Sequence, residues 1–235
     1  MPDKHLSTQF DVDLNLLSTR LLETGGLVES QVERVLGLMN TYDSALVLQV
    51  LDDEKRLNAM ELELDEEICN VIACRQPAAR DLRLLMAASK CVTNLERAGD
   101  EARKVAKRLR RIHESDGTGP INTTELRRSG ELALMILRRA LDAFARMDAA
   151  AAAQIVRDDE AVDNSFRAFG RRLVMQMTEA PRTIPVGLEY MVIAKAIERI
   201  GDHASNIAEF VVYVVKGRDV RHVSLDRLEH EALAR

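Results

Sequence analysis

Apolar residues return every third or fourth position through most of this chain, the period of helices that bury one face. The interruptions carry recognisable start and stop signals, and they predict six helices at residues 7–40, 44–75, 79–113, 124–147, 149–178 and 186–216. Asp43 or Ser44 can cap the second helix, and Gln76-Pro77 stops it, because the residue before a proline disfavours the α region. Thr123 or Thr124 is the expected cap of the fourth helix and Asp148 that of the fifth. Pro181 to Pro185 breaks the chain before the sixth, which ends where Gly217 suits a left-handed terminus. The Gly25-Gly26 pair predicts a kink in the first helix.

SDGTGP, residues 115–120, is the Gly/Pro/Ser-rich linker and lies near the middle. It divides the chain into a first unit at 1–115 and a second at 121–217, followed by a charged C-terminal tail at 218–235 that is expected to be loose. The two units align as an internal repeat. YDSALVLQVLDDEKRLN from Tyr42 lies on MDAAAAAQIVRDDEAVD from Met147, with a constant offset of 105 (58 and 163). After a turn three residues shorter, LERAGDEARKVA from Leu95 lies on IERIGDHASNIA from Ile197, with an offset of 102 (96 and 198).

The repeat gives weight to an otherwise unfavourable pattern. Glu198 and Asp202 stand one turn apart on the sixth helix, where like charges repel, with Asn206 and Glu209 next in the row. Glu96 and Asp100 repeat the pair on the third helix. The preceding helix of each unit adds a second row, Glu54 with Asn58 and Asp159 with Asp163. If the hairpin helices run antiparallel, the rows can face each other and gather hard oxygen donors at one point, a cation site. Such donors suit Mg²⁺, Mn²⁺ or iron better than zinc, since no Cys or His stands at zinc-ligand spacing and His203 points one helical step off the row. Each Asp is preceded by a glycine, Gly99 or Gly201, which helix propensity disfavours by roughly 1 kcal/mol and which permits close approach.

The competing reading is a solvated acidic face. On a helical wheel Ile193, Ile197, Ile200, Ala204, Ile207 and Val211 form the apolar stripe of the sixth helix, and the acids lie opposite, so a metal there is expected at the surface.

Composition narrows the class. Ala, Leu, Glu and Arg dominate and aromatics are only 3%, which makes the chain all-α. A net charge of −5, without a Lys/Arg block interleaved with aromatics, argues against nucleic-acid binding. The N-terminus is too polar for a secretory segment and no apolar run approaches a membrane span, so a cytoplasmic protein is expected. Cys69, Cys74 and Cys91 read as small buried hydrophobes, and Met39, Met60, Met86, Met175, Met177 and Met191 as core filler. No Ser/His/Asp or Cys/His constellation or phosphate-cradling glycine loop is found.

Several segments together resemble the PhoU family, bacterial regulators of the phosphate-specific transport system. They are GGLVESQV, RQPAARDLRLLMAASKCVTNLERAGDEA, MDAAAAAQIVRDDEAVD, RTIP and IERIGDHASNIAEFVVYVVKGRDVRHV, and they span nearly the whole chain. The resemblance implies two tandem, pseudo-symmetric three-helix bundles and a homodimer. It also implies metal at the E(D)-x-x-x-D motifs, as multinuclear iron in some members and Mg²⁺ or Mn²⁺ in others. Carried over, the ligands are Glu96, Asp100, Glu198 and Asp202, then Asp159 and Asp163, with Glu54, Asn58 and Asn206 behind them. Lys104 stands where the second unit has Asn206, and its ammonium is expected to leave the first site weaker. The implied role is negative control of the phosphate-starvation response, by an adaptor that couples the ATPase subunit of the phosphate ABC transporter to a membrane sensor histidine kinase. The alternatives are a carboxylate-bridged metalloenzyme hydrolysing phosphoesters, and structural acids without metal. A ferritin-like oxidation site is disfavoured, because it would need Glu-x-x-His.

Overall fold

The helical periods are realised as α1 (Thr8–Leu38), α2 (Ser44–Arg75), α3 (Ala79–Glu114), α4 (Thr124–Arg146), α5 (Ala149–Glu179), α6 (Ile184–Lys216) and α7 (Leu225–Leu233), with a 3₁₀ turn at Pro181–Thr183. The structure is a computed structural model that describes residues 8–115 and 121–234; among them there is no strand. Residues 1–7, and all of the expected linker except Ser115, lie outside the described residues.

Local chemistry sets the helix ends. The Asp43 carboxylate accepts from the Ala45 amide at 2.8 Å, and its repeat partner Asp148 accepts from Ala151 at 2.9 Å. Gln76 turns left-handed ahead of Pro77, and Gly217 closes α6 at φ 73°. At the start of α4 neither threonine caps: Asn122 Oδ1 takes the Thr124 amide instead, at 3.0 Å. Pro185 falls within the first turn of α6, where its missing N–H leaves no helical bond unmade.

α1, α2 and α3 pack on one another as the first bundle and α4, α5 and α6 as the second. The bundles join through α3 against α6 and α1 against α4, so those four helices form the centre. Among the described residues α2 touches only its own bundle, and α5 only its own bundle and α7. The repeat appears in the side chains as well. Arg34 pairs with Asp53, and 105 positions on Arg139 pairs with Asp158. Gly25 on α1 receives the methyls of Leu141 on α4, while its counterpart Gly130 on α4 receives those of Leu36 on α1. α1 continues through Gly25, whose role is to seat Leu141 rather than to interrupt the helix.

Three expectations are corrected. The tail is not loose: α7 lays Leu228 and Ala232, only 2% and 3% exposed, against α5, and Arg157 pairs with Glu229 at 2.5 Å. Cys91 is buried, but Cys69 and Cys74 are exposed, because they fall on the open side of the outer helix α2. Met86 and Met175 are also exposed rather than core.

Candidate metal centre

α6 is flanked by α3, α4 and α5, so its acidic row is partly covered rather than fully open to solvent as the helical wheel implies, with Asp202 left at the open edge. α5 covers that side, and Glu198 is only 9% exposed. Gly201 makes this approach possible: an added Cβ would lie 2.7 Å from Asp159 Oδ1 and 3.4 Å from Val162 Cγ1, both on α5. In the first bundle the counterpart Gly99 accommodates the Leu57 side chain of α2 in the same manner. The costly glycine before each aspartate is thus explained by helix packing that presses two acidic rows together.

Asp163 of α5 and Glu198 and Asp202 of α6 each offer an oxygen within 4.8 Å of the others. Asp159, one turn earlier on α5, lies outside that trio but close enough to feel the charge of all three. Burial pushes its pKa up to about 7, with the negative charges of Asp202 and Asp163 adding to the rise and a hydrogen bond from Ser205 opposing it. Burial also raises Asp202 to about 6, reinforced by Glu198 and Asp163. Lys195 contacts Glu198 at 2.5 Å and, with Arg199, opposes the rise at Asp202 through space, and Arg167 reaches Asp163 at 3.2 Å from the exposed rim. Four carboxylates, of which Asp159 and Asp202 keep raised pKa values despite these cations, supply only oxygen donors from two helices and fit a hard divalent cation, which would remove the repulsion that adds to the effect of burial.

The first bundle brings Glu54, Asn58, Glu96 and Asp100 to the corresponding place, but a guanidinium is already there. Arg103 meets Asp100 at 2.9 Å and Glu54 at 3.4 Å, and the Asn58 amide donates to Glu54 at 3.1 Å. Glu96 is left with a raised pKa, from burial first and Asp100 and Glu61 next. Lys104, expected to be the interfering cation, turns away to Glu101 at 2.8 Å.

Asn206 is also misplaced by the sequence reading. Its amide donates to Asn94 Oδ1 of α3 at 3.1 Å, and His203 Nδ1 meets the same oxygen at 3.1 Å. Both belong to the junction between the bundles, where Arg199 reaches the buried Glu101 at 3.2 Å. Glu209 lies further along α6; burial raises its pKa to about 7 against the pull of Arg221. The residues that sequence reasoning missed are Arg103, Ser205 and Lys195. The first two occupy equivalent positions, 102 apart, and were legible as the difference between LERAGDEARK and IERIGDHASN.

A family model described as the PhoU domain matches residues 21–109 and again 126–211. A phosphate-specific transport system accessory protein PhoU homolog of a Burkholderia species is 48% identical over 235 residues, covering 99% of this chain and all of that one. The Escherichia coli K12 accessory protein PhoU is 40% identical over 228 residues, covering 97% and 93% respectively. Among solved structures, PhoU from Pseudomonas aeruginosa superposes with a TM-score of 0.85 at 42% identity, covering 89% of this chain and 100% of that one. The phosphate transport system regulatory protein PhoU from Streptococcus pneumoniae gives 0.83 at 26% identity, covering 90% and 99%. With the domain matched twice and relatives aligned almost end to end, the chain belongs to the PhoU family.

Proposed function

We propose that this chain is an accessory regulator of phosphate-specific transport: an adaptor that, when phosphate is plentiful, couples the ATPase subunit of the phosphate ABC transporter to a sensor histidine kinase and keeps the starvation response off. The observation that carries this reading is the end-to-end similarity to proteins named as accessory to that transport system. Long helices suit protein contacts, and the chain reads as a regulator rather than an enzyme. In this reading the protein is cytoplasmic, is recruited to the membrane by its partners and acts as a homodimer; no helix of the described residues is long and apolar enough to cross a membrane. A strain lacking the gene should express a phosphate-starvation reporter in phosphate-rich medium, and the purified protein should capture the ATPase subunit or the kinase's cytosolic region. A silent reporter in the deletion strain would overturn the reading.

The metal belongs to the same proposal. Asp159, Asp163, Glu198 and Asp202 would hold Mn²⁺, Mg²⁺ or iron, as one ion or a multinuclear group. The ion would supply positive charge that fixes α5 against α6. Lys195 orients Glu198, and Ser205 holds Asp159 by a hydrogen bond. Elemental analysis of protein purified without chelator or metal-affinity resin should find metal in the wild type. E198Q/D202N, which preserves side-chain size, should lose at least nine-tenths of it. Equal metal in both proteins would remove the site.

A further inference from the structure

We infer that Arg103 is a built-in counter-cation of the first bundle, so that this chain holds metal in its second bundle alone. The inference rests on the metal reading of the second bundle and departs from a symmetric pair of sites. Its basis is one substitution between equivalent positions: Arg103 on α3 stands where α6 has Ser205. Through its two terminal nitrogens Arg103 reaches both acidic rows, Asp100 on its own helix at 2.9 Å and Glu54 across on α2 at 3.4 Å. Those oxygens are the ones a cation between α2 and α3 would need.

Two further differences act in the same direction. Asn58 replaces the fourth carboxylate, supplied by Asp163 in the second bundle, and its amide already donates to Glu54 at 3.1 Å. In the second site Lys195 is bonded to Glu198 and Arg167 reaches Asp163 from the exposed rim, but no cation bridges the two acidic rows as Arg103 does. A guanidinium remains protonated throughout the physiological pH range, so no ordinary change in pH vacates the first site. A divalent ion arriving there would meet a like charge at ion-pair distance from Asp100 and Glu54, and only Glu96 would be left to it without that guanidinium as a partner. The consequence is an asymmetric molecule. The first bundle keeps α2 and α3 in register whatever the metal supply, and only the spacing of α5 and α6 can respond to it.

The test loads purified protein with Mn²⁺, removes free ion by desalting, and reads both bound metal and the Mn²⁺-induced shift in melting temperature. E198Q/D202N isolates the first bundle and should bind no Mn²⁺ above background. Adding R103S, which installs the residue of the second bundle, should restore binding and a melting-temperature rise of several degrees on Mn²⁺ addition. R103Q in the same background removes the charge while keeping most of the packing and should also bind, whereas R103K should stay empty. Retention of about half the wild-type metal by E198Q/D202N would show that Arg103 does not exclude metal. Failure of both folded R103S and R103Q combinations to take up Mn²⁺ would equally overturn the inference. Full retention by E198Q/D202N would refute the second-bundle site and the inference with it, whereas no metal in the wild type while the Arg103 combinations bind would refute the second-bundle site and leave the role of Arg103 standing.

Discussion

Metal-free protein should melt roughly 3–6 °C lower at pH 8 than at pH 6, the reverse of a protein stabilised by paired carboxylates. In the folded state Asp159 and Glu209 titrate near 7 and Asp202 near 6, all raised above ordinary carboxylate values by burial. A raised acid contributes stability that is fully present below its unfolded pKa, near 4, and is lost as pH rises through the folded value. The loss therefore begins near pH 4 and is completed by about pH 8, and the part between pH 6 and 8 comes chiefly from Asp159 and Glu209. His203 opposes the trend at lower pH and offsets part of it at the acid end of the window. Burial depresses it to about 4, so its contribution is present above the unfolded value of 6.5 and is lost as pH falls below that. With solvent screening allowed for, the acids together account for about 1–2 kcal/mol across the window. D159N, which cannot ionise, should flatten the slope and raise the pH 8 melting temperature of the metal-free protein. Saturating Mn²⁺ should reverse the slope in the wild type, because its ligands bind as carboxylates and its affinity grows with pH. Differential scanning at pH 6 and pH 8, with and without Mn²⁺, checks all of this. A metal-free melting temperature that rises towards pH 8 would contradict the crowded-acid account.

The helices and the repeat were legible because a 3.6-residue period and a fixed offset are properties of sequence alone. The neighbours of each face were not. A wheel drawn on α6 assigns Glu198 to solvent because its side of the helix is polar, yet α5 packs there through Gly201 and brings acids of its own. Asn206 looked like a continuation of the row, but two steps of four residues rotate a helix by about 80°. That rotation is enough to carry Asn206 from α5 towards Asn94 on α3. Lys104 drew attention because it aligns with Asn206, while Arg103, one position earlier and three after Asp100, had the reach and direction to enter the site. α7 was hidden by its charge. Leu225, Leu228 and Ala232 carry helical spacing, but nine residues bury too little surface to be identified as a helix without the face of α5 that receives them.

The contact between α1 and α4 yields the second large effect. Gly130→Ala should destabilise the protein by about 1–3 kcal/mol, because the new methyl overlaps the Leu36 side chain and lies 3.5 Å from Ile197 Cδ1. Leu36 is 8% exposed and Ile197 only 1%, so neither has open space to retreat into. Leu36→Ala alone should cost about 2–4 kcal/mol through the void left over Gly130. The two changes compensate in shape, since the methyl added at 130 moves into the volume vacated at 36. The double variant should therefore be more stable than additivity predicts by about 1 kcal/mol or more. The pseudo-two-fold makes a matching demand, because Gly25 receives Leu141 on the other side of the same contact. Gly25→Ala with Leu141→Ala should show coupling of the same sign. Urea denaturation of the four proteins in each cycle measures both terms, and additive losses in both would mean that the glycines do not seat the leucines across the join between the bundles.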